Sequence, residues 1–544
     1  MATTVTSRAE IESPAPPPRA SSGIAARLHA GAPMLAFIGR RLISSIIVLI
    51  GATFIVYMLL AYSIDPLEDL RTSTSPNKEA LIEARVQALD LDTPPAIRYL
   101  KWLRGASGCV VGVCDLGTSW VTGQPVTAML ATAVPSTLQL VLASTLLAIG
   151  LGVVVGISSA LRQYTGFDYG VTLMSFVLYS LPSFWVAVLL KTWGAIGFND
   201  FLRDPTFSVP VIIGASVVSG LVWSALVAGD ARRRLITFLS AAVATGAAMA
   251  YLSASAWLLD PALGPVVIGV LGAAIAYGVS VLTAGTRNRR ALFSALTMAA
   301  LGVVLYVPLQ YVFAGATTAL ILGLAVLTVV VGLVVGYLFG GPDRALSMRA
   351  AAITGIGVGA LLYVDRVMGA WQVYSSSSRI NGRPIATIGS QTPGLKGDYW
   401  VSTLDTFTHL LLPTIALILI SFAAYTRYSR SSLLEVMNQD YIRTARAKGL
   451  PERVVIVRHA FRNALIPLAT VVPLDIAALF GGAIITERIF AWSGMGTMFL
   501  QALETSDANP VMGYFVVAGS LLVLANIIVD FVYAALDPRI RVNA

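Results

Sequence analysis

Unbroken apolar runs of about 20 residues recur along this chain, and that is the length a helix needs to cross a bilayer. In the hydrocarbon core every backbone N–H and C=O must be satisfied by the protein itself, which leaves helices or closed barrels. A barrel would show alternating segments of about 10 residues, whereas these runs are continuous. Composition points the same way. Hydrophobic residues make up 56% and charged residues 12% of the 544 residues, against about 25% charged in soluble domains. The expected class is an all-α polytopic membrane protein in a cell membrane. A net charge of +9 could suggest a nucleic-acid partner. Lys and Arg instead gather in short loops on one side, as the positive-inside rule describes, so membrane lipid is the expected partner and nucleic acid is not.

Threading the chain from its N-terminus gives a domain plan. Residues 1–39 are polar and small, with Pro16-Pro17-Pro18, and read as a disordered cytoplasmic tail. No cleavable leader is expected, because the first apolar run follows Arg40-Arg41 and is long enough to span. Residues 40–62 form the first span, 63–134 an extracytoplasmic segment, and 135–198 spans two and three, with a kink at Pro182. Six further runs follow within 199–400, near 208–228, 235–257, 262–284, 291–314, 317–340 and 350–369, and then an extracytoplasmic loop. Basic clusters at Arg232-Arg233-Arg234, at Arg287 with Arg289-Arg290, and at Arg344 with Arg349 occupy every second loop of this block. The last part, 401–544, carries spans near 408–426, 464–487 and 512–535. The total is 12 spans with both ends cytoplasmic, and six inserted crossings leave the later spans uninverted.

The longest cytoplasmic loop, 427–463, holds eight Lys or Arg residues. Within it, Asp440 suits a helix N-cap, and Arg446 and Lys448 suit the negative end of the helix dipole. Gly449 is placed for a left-handed stop, and Pro451 follows it. A short helix with a defined end is predicted, then a second helix over about 452–463. Ala445, Ala447 and Gly449 are small enough to let a partner protein approach closely. The residues alone leave a plainer reading open: a basic loop that obeys the positive-inside rule or touches anionic lipid.

The order of residues goes further. Thr444-Ala445-Arg446-Ala447-Lys448-Gly449-Leu450, with Arg458-His459-Ala460-Phe461-Arg462-Asn463-Ala464-Leu465-Ile466-Pro467, resembles the EAA loop of dipeptide and oligopeptide ABC transporter permeases. Arg443 stands where the general pattern has Glu, and Arg462 where many importers have Pro; both departures look typical of the peptide branch. The resemblance extends to Tyr99-Leu100-Lys101-Trp102-Leu103, Asp115-Leu116-Gly117-Thr118-Ser119, Gly123-Gln124-Pro125-Val126, Leu181-Pro182-Ser183-Phe184-Trp185, Phe490-Ala491-Trp492-Ser493-Gly494-Met495-Gly496 and the run from Asp530 to Arg541. It covers about 40–198 and 400–544, and the long segment after the first span suggests the first of the family's two permease types. The block between carries none of these motifs.

The resemblance implies a type I ABC importer permease core of six spans, carrying about six extra transmembrane helices. It implies a second permease subunit, separate ABC ATPase subunits and an extracytoplasmic substrate-binding protein as partners. ATP and Mg would sit on the ATPase subunits, since no Gly-x-x-x-x-Gly-Lys-Ser/Thr run occurs in this chain. No cofactor or catalytic residue is expected here. The scattered His29, His409 and His459 fit neither a metal site nor a triad. Tyr441, Thr444, Ala445, Ala447, Lys448 and Gly449 are the expected ATPase-docking face.

Three features fall outside that frame. Asp475 lies in the eleventh span, where a carboxylate is expensive and faces a cavity or a partner. It reads either as a translocation-path acceptor for a cationic group or as a helix–helix contact. Cys109 and Cys114, too few for a disulfide scaffold, read as a small extracytoplasmic disulfide or as two unpaired thiols. The six-helix block has almost no mid-membrane charge and many small residues, which suits a scaffold, a lipid-facing belt or a docking site. The rival functional readings are a 12-span secondary transporter, an exporter or lipid-handling ABC permease, or the same importer scaffold serving nickel or haem.

Overall fold

The computed structural model describes residues 24–536 apart from 75, 228, 286 and 287, with side chains from residue 39 to 532 except 343 and 482. Residues 1–23 of the expected tail, Arg287, and the motif positions from Asp537 to Arg541 lie outside the described residues. Among the described residues, ten helices are long and apolar enough to cross a membrane, or 12 when each of two bent helix pairs counts as one span.

The part of the chain that resembles a permease core begins with α1 (Ile24–Ser63). Helical backbone thus reaches back into the stretch read as tail up to residue 39, where Ala, Leu and Arg favour it. The segment 63–134, expected outside the cell, carries short helices, among them Pro95–Ser107. Just beyond, Cys109 and Cys114 are joined as a disulfide. Next come α2 (Val126–Leu161), α3 (Gly166–Ser180) and α4 (Ser183–Leu189). The third span is more than kinked: its halves meet at 100°. Leu181 is extended and Pro182 caps α4, because proline excludes the helical region for the residue before it.

The inserted block is α5 (Val209–Leu226), α6 (Ala231–Ser255), α7 (Gly264–Thr283), α8 (Arg289–Val304), α9 (Tyr306–Ala314), α10 (Thr318–Gly340) and α11 (Arg344–Met368). Helices α8 and α9 form one span bent by 57°. Pro308, in the third position of α9, supplies no N–H and crowds the carbonyl of Val304. Helices α5 and α6 pair as a hairpin, while α7, α8, α10 and α11 pack as a bundle. Gly332 and Gly336 of α10 sit so close to Ala352 and Met348 of α11 that a Cβ would not fit. This is the small-residue packing by which helices associate when lipid removes the hydrophobic drive between them.

The core resumes with α12 (Tyr399–Met437), then α13 (Asp440–Ala447), α14 (Ile466–Gly482), α15 (Ile484–Ile489), α16 (Met495–Glu504) and α17 (Ala508–Leu536). Helices α2 and α12 make the most extensive packing in the molecule. Gly152 and Gly156 of α2 press against Tyr425, Thr426 and Ser429 of α12 with no room for a side chain. One turn further along α12, Arg430 Nε donates to Asp168 of α3 at 2.8 Å, and Asp168 also accepts from Ser159 of α2. Three core helices are tied at the end that carries the loop after α12.

Candidate functional site

Helix α13 is amphipathic over only eight residues, and its spacing decides which side faces out. Ile442 and Ala445, three apart, are buried with Leu433 of α12, Ala160 of α2, and Val455, Ala460 and Ala464 of the following segment. Tyr441, Thr444, Ala447, Lys448 and Gly449 are exposed. Five of the six residues expected on the docking face are therefore brought to the surface together. Ala445 is the exception and is corrected: at 7% exposure it faces inward. Its small size admits α13 to its own protein, not a partner to α13.

The helix ends differ from expectation at one side and match it at the other. Gln439, in extended conformation, is the N-cap residue, and Asp440 is the first helical residue without a side-chain cap bond. Asp440 still complements the positive end of the dipole and approaches Arg443 at 3.7 Å. At the far end Gly449 has φ +73°, the left-handed conformation a side chain resists. Its N–H donates to Arg446 at 2.9 Å, and the N–H of Leu450 donates to Ala445 at 3.4 Å. Past the turn, Arg446 binds Glu452 through two bonds at 2.7 and 3.2 Å.

The second helix of the loop is interrupted. It is helical over Glu452–Val454, widens to a π-type turn over Val455–Ala460, and tightens again over Phe461–Ala464. Ser432 Oγ of α12 donates to the Ala464 carbonyl at 2.7 Å, and Asn463 Nδ2 donates to the Tyr441 hydroxyl at 2.9 Å. The loop is thus fastened to α2, α12 and the start of α14.

Asp475, in α14, is half-buried. It comes near the Tyr425 hydroxyl of α12 without closing a hydrogen bond. It lies beside α12 and apart from the loop of α13.

Sequence reading missed a carboxylate at the other end of α14. Glu487 of α15 is fully buried. It accepts from Thr137 Oγ1 of α2 at 2.6 Å and from the N–H groups of Gly496 and Thr497 at 2.7 and 3.1 Å. A Cβ on Gly494 or Gly496 would collide with this carboxylate. The signal was present as Glu487 followed seven and nine residues later by glycine. Only the returning turn between α15 and α16 shows why.

Two family models match. One, described as binding-protein-dependent transport system inner membrane component, covers residues 152–542. The other, for the N-terminal part of such membrane components, covers residues 34–141. The oligopeptide transport system permease protein OppB of Mycobacterium tuberculosis is 43% identical over 155 residues, which is 28% of this chain and 48% of OppB. The dipeptide transport system permease protein DppB of Escherichia coli is 45% identical over 138 residues, 25% of this chain and 41% of DppB. The matched stretches thus span about half the length of these curated relatives or less. With a family model covering most of its length, the chain belongs to the binding-protein-dependent transport system inner membrane components.

Proposed function

We propose that this chain is the membrane permease of an ATP-driven importer of peptides, forming part of the translocation path and receiving its motion from separate ATPase subunits. The observation that carries this reading is the loop of α13. It presents Tyr441, Thr444, Ala447, Lys448 and Gly449 outward while Ile442 and Ala445 seat it on the ends of α2 and α12. Such an element transmits force because it is anchored by packing and by the Arg446–Glu452 and Ser432–Ala464 ties.

The relatives' names supply the substrate class, peptides. A substrate-binding protein would deliver peptide to the side bearing residues 63–134. A second permease subunit would complete the path, and ATP with Mg would be held by the ATPases. The path then alternates between two states whose balance nucleotide shifts. The loop charges support a cytoplasmic side for both termini and α13 and an outer side for the Cys109–Cys114 pair, where an oxidising compartment suits it. Family membership favours this reading over a 12-span secondary transporter.

The test is uptake of a labelled di- or oligopeptide into proteoliposomes holding the chain with its co-purified subunits. ATP-dependent accumulation supports the reading. Accumulation driven by an ion gradient with no ATP requirement sinks it.

A further inference from the structure

The inserted block touches the coupling loop. Arg453, just after the turn that closes α13, donates from Nη2 to the carbonyl of Val281 and, at 3.2 Å, to that of Leu282. These carbonyls belong to the last turn of α7, where helix geometry leaves acceptors without intrahelical donors and gathers the negative end of the dipole. Gly285, at φ +83°, turns the chain away directly afterwards, with its N–H on Ser280 at 3.1 Å. A guanidinium is matched to that site in charge and in geometry.

The far end of α7 is fixed as firmly. Asp365 of α11 accepts from the N–H groups of Leu263 and Gly264 at 2.8 and 3.0 Å, and its other oxygen takes the Tyr306 hydroxyl at 2.9 Å. Beyond α11, residues 371–398 are pinned to the core. Asn199 and the backbone of Ile385 exchange two buried hydrogen bonds at 2.8 and 3.0 Å. Asp405 of α12 accepts from the Thr392 hydroxyl at 2.6 Å and the Tyr374 hydroxyl at 3.2 Å. The Gly389 N–H donates to Phe490 at 2.8 Å, in the turn that follows α15.

With 20 residues, α7 is a rod about 30 Å long. It runs from Asp365 of α11, the helix that leads into the pinned segment 371–398, to the loop of α13. We propose that the inserted helices act as a strut that sets the position of the coupling loop relative to the opposite face of the permease, and that Arg453 is the positioning residue through which the strut acts. The inference rests on the loop of α13 being the ATPase contact. Arg453 lies on the surface, so its contact adds little to stability; its effect is on geometry.

The assay is peptide uptake per ATP hydrolysed, in proteoliposomes holding the assembled transporter. Arg453→Ala should lower that ratio about fivefold, the size of a modest coupling energy, with ATPase still bound and hydrolysing. Arg453→Lys, which keeps a cationic donor, should retain most of it. A Leu282→Cys, Arg453→Cys pair should be poorly coupled until the two thiols are joined by a short bis-maleimide, and coupling should then return. The chain's own two cysteines are bonded to each other and leave that chemistry free. A wild-type ratio in Arg453→Ala, or a bridged pair that stays uncoupled, overturns the strut. Failure of the underlying reading looks different: the unmutated chain would bind no ATPase.

Discussion

At the residue scale, Gly449 and Ala445 show two ways a small residue is required. Gly449 has open space around it, so a side chain there would meet no neighbour and would only strain the backbone. A left-handed conformation costs an L-residue about 1–2 kcal/mol, and most for β-branched types, while Asn tolerates it. Gly449→Val should therefore uncouple hydrolysis from uptake far more than Gly449→Asn, measured as transport at matched expression. Ala445 poses the opposite problem, because its Cβ is packed. Ala445→Leu should destabilise the protein by roughly 1–3 kcal/mol through overpacking, seen as a lower thermal midpoint of the solubilised chain, and should not act by blocking a partner. Sequence order was enough to find both residues. Ala445 stands three residues from Ile442, on the same inward face of α13, and small size alone does not separate a position open to a partner from one closed by the protein's own helices. Asp475, near Tyr425 of α12, keeps both readings, a helix contact and a path acceptor. The helix contact expects Asp475→Asn to leave the ratio of cationic to neutral peptide uptake unchanged, and a selective loss of cationic uptake would put the carboxylate in the path.

At the scale of elements, apolar run length was a faithful guide. Five of the six runs of the inserted block match their helices within four residues at each end, because in lipid the length of a span is set by the bilayer, while α11 starts at Arg344, six residues ahead of its run. The bend at Pro182 was legible as a kink but not as a 100° turn, since proline states that a helix stops and says nothing of the direction in which it restarts. The tie between insert and core was invisible. Asn199 meets Ile385 across 186 residues, and neither residue type signals a partner. This tie separates two deletions. Removing all of 205–400 would strip Asn199 and Asp405 of buried partners, and a buried polar group left unsatisfied costs about 1–3 kcal/mol. A deletion that keeps 371–398 should give more monodisperse protein on size exclusion than the full deletion; equal behaviour would mean that those contacts do not hold the core.

At the scale of the whole molecule, further membrane helices stand between the third and fourth crossings of the permease core; counting α8 and α9 as one bent span makes them six, and we propose that this even number preserves the core's orientation. The coupling loop and the basic ends of the inserted helices then share one side, which is what allows Arg453 to reach α7. The central claim is that the exposed face of α13 meets an ATPase. Cross-linking tests it most directly, with a single cysteine introduced at Lys448, exposed and outside the hydrophobic contacts that hold α13. Lys448→Cys, in membranes from cells expressing the complete transporter, should form an adduct with an ABC ATPase subunit through a short thiol-to-amine cross-linker, with a yield that changes when nucleotide is added. Labelling of the introduced thiol by a membrane-impermeant reagent from outside intact cells, with no ATPase adduct, would contradict the account.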